Sequence, residues 1–439
     1  MIPTSEPKSR VQGVADQVRN FYDRFPYPPP VDSLDTYRRH WQDPQRRRAD
    51  YHLFWPAQSY RDDFSILVAG CGTSQAAKHA LRWRGAHVIG IDFSAASVRC
   101  TQALQRQYDL DNLEVHHLPI ERVGELGMSV DQIVCTGVLH HLPDPDAGLR
   151  SLASVLKPGG VMHLMVYAKY GRTGVYMLQE FCRRIGIEAT DDGMRDLLGA
   201  LEALPHGHPL AQLLRHAPDF RQRAALADAL LHPQDRAYSV PELFDFLENG
   251  GLRFGRWVRQ APYSARCGAM ATIAQGGRLA ELTDADQFAA AELFRGTMVR
   301  HTLAAYRHDH TGDRHRISFA GEAWLGYVPI RMPDTICLQE RLPAGAAAVL
   351  INQTHTDTDL FVPISSGEKR LFDAIDGQRT IIDLVERTRP SAGDTPRLEL
   401  ARGFFERLWW SDQVVFDASR VLPSLFAGAG VRSKSGVPR

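Results

Sequence analysis

A chain of 439 residues exceeds what one hydrophobic core ordinarily supports, so two or three domains are expected. Its 51 Lys and Arg against 51 Asp and Glu leave no overall field to attract a polyanion, which argues against a nucleic-acid partner. The six cysteines form neither CxxC pairs nor zinc-ligand spacing, so they read as reduced thiols and no metal site is expected. No apolar run reaches the roughly 18 residues of a membrane span, and MIPTSEPKSR has no apolar signal core, so the expected compartment is the cytoplasm.

Residues 1–58 form an arginine-rich, helix-prone lead-in, broken by FYDRFPYPPP at 21–30, which holds four aromatics and four prolines. From 64 to 167 short apolar runs alternate with helical segments: FSILVAG, AHVIGID, LEVHHL, DQIVCTGVL and VMHLMVY. Strands alternating with helices at this spacing imply βαβ units and a doubly wound, mostly parallel, seven-stranded Rossmann-like sheet. Residues 171–235 are helical and read as an insertion after the fifth strand. SVPELFDFLENGGLRFGRWV then gives a capped helix, a Gly-Gly stop and a strand, and CGAMATIA reads as a further strand. The core domain is placed at 59–280, followed by a linker helix within 281–314, drawn as one long helix over 283–306. A C-terminal α+β region spans 315–420, and 421–439 reads as a flexible tail.

ILVAGCGTSQ runs from a buried strand into Gly70-Cys71-Gly72-Thr73 and a helix start, where glycines let the backbone approach a ligand. A lone GxG is a weak signal. It gains weight from Asp92, which closes the second strand 20 residues or so later, where a carboxylate can take both ribose hydroxyls. Gln75 stands where the dinucleotide fingerprint wants a third glycine, which argues against NAD or FAD and for a nucleoside without a pyrophosphate, such as S-adenosylmethionine.

ILVAGCGT, VIGIDFS, DQIVCTGVLHHLPDP and LKPGG resemble, in order and spacing, the motifs of class I S-adenosylmethionine-dependent methyltransferases. The aromatic-proline box before AGCGT is similar to that of bacterial methyltransferases often fused to tetratricopeptide repeats, a group similar to outer-membrane-protein lysine methyltransferases; no such repeats occur here. The resemblance implies that Ala69, Gly70, Cys71, Gly72 and Thr73 hold the methionine part of the cofactor and Asp92 its ribose. It further implies that Phe93, Ser94 and Glu121 lie by the adenosine, with Thr136 and Gly137 beneath the sulfonium. Val68 and Ser74 depart from the common motif, which has an acid and a glycine there, so another group must anchor the cofactor's amino end.

Methyl transfer from a sulfonium needs mainly alignment, and positioning alone can supply about 7–11 kcal/mol. His140, at the C-terminal end of the fourth strand, is the candidate base, with His141 a weaker one. Tyr22 and Tyr27 in a lid, and Tyr167 ending the fifth strand, are candidates to line the transfer chamber, and His232, Asp235, Arg236 and Tyr238 are further candidates for substrate contact. A polyproline ligand or a simple hydrophobic clasp are the other readings of 21–30, and a Ser239 capping turn the other reading of HPQDRAYS. LFDAIDGQRTIIDLVERT and FFERLWWSDQVVFD resemble the small winged helix of PqqD-like peptide-recognition domains, which implies peptide docking, with domain packing or homodimerisation as the alternative. The acceptor expected is a protein or peptide, or else a small molecule; a non-catalytic cofactor-binding module is the remaining reading.

Overall fold

The computed structural model describes residues 7–216, 222–309, 317–388 and 397–420. The chain divides into two units, one within residues 1–47, 61–313 and 355–360, the other within 48–60, 314–354 and 361–439. The expected tail at 421–439 lies outside the described residues.

The apolar runs become strands because they are buried on both faces, as a parallel sheet covered by helices requires. In chain order they are β1 (Ser65–Ala69), β2 (His87–Asp92), β3 (Leu113–His117), β4 (Val130–Thr136), β5 (Leu156–Ala168), β6 (Ala237–Tyr238), β7 (Leu252–Trp257) and β8 (Arg300–Arg307). The sheet order is β3-β2-β1-β4-β5-β8-β7, with the two-residue β6 paired to the end of β5. Neighbours among β1 to β5 pair in parallel, whereas β8 runs antiparallel to both β5 and β7. The seven long strands therefore make the mostly parallel Rossmann-like sheet. Its order reverses between β1 and β4, and ligands of open α/β sheets sit at the strand C-termini by such a switch point.

Two expected elements differ. The long helix of 283–306 is a helix Asp284–Arg295 followed by β8, and Gly296, at φ +62°, ends the helix in a left-handed cap. CGAMATIA is no strand; Gly268–Thr272 is a short 3₁₀ turn. The place this segment was expected to fill at the sheet edge belongs to β7, with β8 supplied by the continuation of the supposed linker helix.

Among the described residues the insertion forms helices Thr173–Ile185, Asp191–Glu202, Pro209–His216 and Arg223–Leu230. They share one apolar core with the lead-in helix Pro7–Arg24, through Phe21 and Phe25 against Val175, Leu178, Leu197 and Leu226. After the insertion, Ser239 caps helix Val240–Asn249 in a full capping box with Glu242.

The second unit contains β9 (Val328–Arg331), β10 (Thr335–Leu338), β11 (Ala348–Asn352), β12 (Phe361–Ile364) and β13 (Val414–Asp417). β10-β11-β12 form an antiparallel sheet and β9 pairs with β13. Helices Ser366–Ala374, Ile381–Arg387 and Arg397–Trp410 meet in a core of Phe372, Leu384, Phe404, Phe405 and Leu408. The DGQRT turn is held by Asp376, whose Oδ1 accepts from the backbone N–H of Gln378 and Arg379. No helix among the described residues is long and apolar enough to cross a membrane.

Candidate active site

The turn after β1 needs its glycines. Gly70 has φ +65°, and a Cβ there would lie 2.5 Å from Val138 Cγ2; Gly72 has φ +54°, and its Cβ would touch Pro28 Cδ at 3.4 Å. The Gly72 carbonyl accepts from Thr101 Oγ1 at 2.9 Å, which anchors the loop to the helix after β2, Ala95–Gln107. Asp92 is 7% exposed and uses one lone pair of each oxygen locally: Oδ2 accepts from Gly72 N–H and Oδ1 from Ser94 N–H, both at 2.8 Å. Burial pushes its pKa up, while those two N–H groups pull it down.

FYDRFPYPPP lies on this same loop. Thr73 Oγ1 donates to the Pro28 carbonyl at 2.9 Å, and Ser94 Oγ donates to Asp23 Oδ1 at 3.0 Å. Tyr22 stands edge-on to Phe93, ring centroids 6.2 Å apart. Phe21 and Phe25, one turn apart, enter the insertion core; Tyr22 packs against that core and donates to Asp228 of the insertion, while Asp23 turns to Ser94 at the sheet edge.

Beyond the loop, the C-terminal ends of β4 and β5 meet the insertion in a buried polar cluster. Tyr22 donates to Asp228 Oδ1 at 3.0 Å and Tyr167 donates to Asp228 Oδ2 at 3.1 Å. Burial pushes the Asp228 carboxyl up, opposed by His141 and the two phenols; both phenols are themselves held well above their usual pKa by burial first and by Asp228 second. The His140 ring lies 3.9 Å from Tyr167, and neither of its nitrogens has a partner among the described residues. Burial pushes its pKa well down. His141 differs: its Nδ1 donates to the Gln234 carbonyl at 2.8 Å. A nitrogen of His141, a nitrogen of His232 and a carboxylate oxygen of Asp228 all lie within 4.8 Å of one another.

Arg172 closes the cluster. Its guanidinium carbon sits 3.5 Å from the Tyr167 ring centre, and it pairs at 3.2 Å with Asp235, both side chains nearly fully buried. Gln179 Nε2 also donates to Asp235, at 3.1 Å.

Several expected site residues are therefore brought together: the Gly70–Thr73 turn, Asp92, Phe93 and Ser94 on one side, and Tyr22, His140, Tyr167 and His232 on the other. Thr136 and Gly137 end β4 between them, Gly137 N–H donating to the Met165 carbonyl. Tyr27 is half-buried, and its carbonyl lies 3.8 Å from where a Cβ on Gly72 would be. Glu121 is exposed at the start of the turn Ile120–Leu126. Arg236 is exposed and Tyr238 buried under it. Asp228, Arg172 and Asp23 were not singled out from sequence. The signal for Asp228 was an acid inside RAALADALL, a helix buried along Ala225–Leu230 where an unpaired carboxylate has no place.

Residues 67–162 match a family described as a methyltransferase domain. With the strand order and the glycine turn, this defines the part of the chain around the sheet as a class I S-adenosylmethionine-dependent methyltransferase domain. Among similar proteins, an uncharacterised protein of a Synechococcus strain is 32% identical over 252 residues, 55% of this chain and 59% of that one. A ubiquinone biosynthesis O-methyltransferase of Acinetobacter baumannii is 31% identical over 96 residues, 22% of this chain and 40% of that protein. The chain thus spans less than two thirds of these relatives. In structure it is similar to PKMT2 from Rickettsia typhi, with TM-score 0.62 at 13% identity, covering 89% of this chain and 77% of that one; the same protein in complex with AdoHcy gives 0.58.

Proposed function

We propose that the first unit transfers a methyl group from S-adenosylmethionine to a nitrogen or oxygen nucleophile in the chamber of Tyr22, Tyr167, His140 and His141. The observation that carries this is the convergence of three separate stretches: Pro28 and Asp23 of the lead-in, the Gly72 turn, and Asp92 with Ser94. The cradle fits the cofactor. Each Asp92 oxygen retains a lone pair for a ribose hydroxyl. Ala69, Gly70, Cys71, Gly72 and Thr73 form that side, Phe93 and Ser94 the adenosine side, with Glu121 at its outer rim and Thr136 and Gly137 below the reacting carbon. Tyr27 lines the lid. When bound, the sulfonium supplies an activated methyl group; the chain supplies alignment and water exclusion.

The preferred acceptor is a protein or peptide side chain, and peptide docking on the second unit would support it by raising local concentration. A small-molecule acceptor is favoured instead by the sequence similarity to ubiquinone O-methyltransferases. Incubation of the full chain with methyl-tritiated cofactor and cell extract separates them. Label in acid-precipitable protein is the expected result, label in organic extract selects the small molecule, and absence of both with tight cofactor binding refutes catalysis.

A further inference from the structure

One residue, Gln234, sets the tautomers of two imidazoles. Its carbonyl can only accept, so His141 Nδ1 carries hydrogen, and in the neutral ring its Nε2 is a bare lone pair. The Gln234 N–H can only donate, and it does so to His232 Nδ1 at 3.0 Å, so in the neutral ring the His232 hydrogen is on Nε2. Burial pushes the His232 pKa well down. The rings lie 3.9 Å apart at 35°, 4% and 8% exposed, and both Nε2 atoms lack a partner among the described residues. The chamber thus presents one acceptor and one donor, side by side and unsatisfied, beside the Asp228 carboxylate. Buried polar atoms are seldom left so without a ligand to complete them.

The same three residues resemble a two-histidine, one-carboxylate cation site. The tautomers decide against it: a metal on His232 Nε2 would need the nitrogen that carries hydrogen, while Nδ1 is already engaged.

Resting on the methyltransferase reading above, we infer that His141 and His232 clamp the acceptor atom and that this atom is a hydroxyl or phenol oxygen. An oxygen can donate its hydrogen to His141 Nε2, accept from His232 Nε2–H with one lone pair, and attack with the other. A neutral amine has a single lone pair, and the His232 donor would occupy the pair needed for attack. Two partners about 2.8 Å from one oxygen at a tetrahedral angle are about 4.6 Å apart, and each ring brings one nitrogen within 4.8 Å of the other. As the oxygen–carbon bond forms, the hydroxyl proton passes to His141 Nε2, and the electron pair of the broken carbon–sulfur bond stays on sulfur. Asp228, held by the two phenols, then faces the imidazolium. His232 is a positioning residue in this step.

The test is nitrogen-15 spectroscopy of the histidine-labelled full chain saturated with S-adenosylhomocysteine, the two rings assigned with His141→Gln and His232→Gln. The expected result is hydrogen on Nδ1 of His141 and on Nε2 of His232. Phenol should shift both Nε2 signals where aniline, the same ring with nitrogen, does not. His232→Phe, which carries no donor, should weaken phenol about fivefold, one hydrogen bond's worth. The opposite tautomer on either ring, equal shifts with aniline, no shift with phenol, or stoichiometric zinc binding that perturbs both rings each overturns the inference. Calorimetry with S-adenosylhomocysteine on the same sample reads the cofactor assignment separately.

Discussion

Replacing Asp92 by alanine probes the cofactor cradle most directly. The carboxylate accepts two backbone N–H groups at 2.8 Å and, in the proposed complex, both ribose hydroxyls. Charge-assisted hydrogen bonds are worth about 1.5–3 kcal/mol each, so losing even one predicts at least a tenfold fall in affinity for S-adenosylhomocysteine. The two orphaned N–H groups add a stability cost of about 1–3 kcal/mol each, so folding must be read separately, by urea denaturation at the calorimetry temperature. Comparing adenosine with dideoxyadenosine isolates the ribose: the wild type should prefer adenosine and Asp92→Ala should not distinguish the two. A folded Asp92→Ala that binds within about twofold of wild type, or keeps the preference, refutes the ribose assignment.

Three further outcomes follow from the geometry. Gly70→Ala should cost about 2–3 kcal/mol, because its Cβ would meet Val138 and its φ is positive; Val138→Ala in the same chain should recover part of this in urea titration. Arg172→Met should destabilise by about 3–5 kcal/mol by stranding buried Asp235, and Asp235→Asn added to it should restore much of the loss. Asp131 is held down at about 2, burial raising it but Lys157 and Ser65 outweighing that, so its contribution is present above the unfolded value of 3.8 and is lost as pH falls towards 2. Allowing for its partial exposure, Asp131→Asn should cost about 1 kcal/mol at neutral pH, with the gap from wild type narrowing below about pH 4.

Much of the sheet was legible because β1, β2, β4 and β5 are apolar runs bounded by turn residues, and because glycine and acid stand at the ends of β1 and β2. β8 was not. RHTLAAYR is buried at His301 and without a break from Leu303 to Tyr306, so it lacks the alternation of a half-exposed strand, and it follows a helix in a stretch whose alanines and leucines suit either state. Gly296 was the available stop signal. The glycine turn and Asp92 could be found from local pattern. The pairing of His141 with Gln234, and of Asp228 with Tyr22 and Tyr167, could not, since it joins residues 61 to 206 positions apart that only the folded insertion brings together.

The lead-in helix end couples departure of the spent donor to the cohesion of the insertion. A motion that would lift Pro28 off the glycine turn together with the helix end before it must draw Phe21 and Phe25 out of the apolar bundle and break the Tyr22–Asp228 and Ser94–Asp23 hydrogen bonds as well. Each ring returned to water costs about 2–3 kcal/mol, so grease adds to those carboxylate bonds, and its share of the resistance should grow on warming from the cold as that force strengthens.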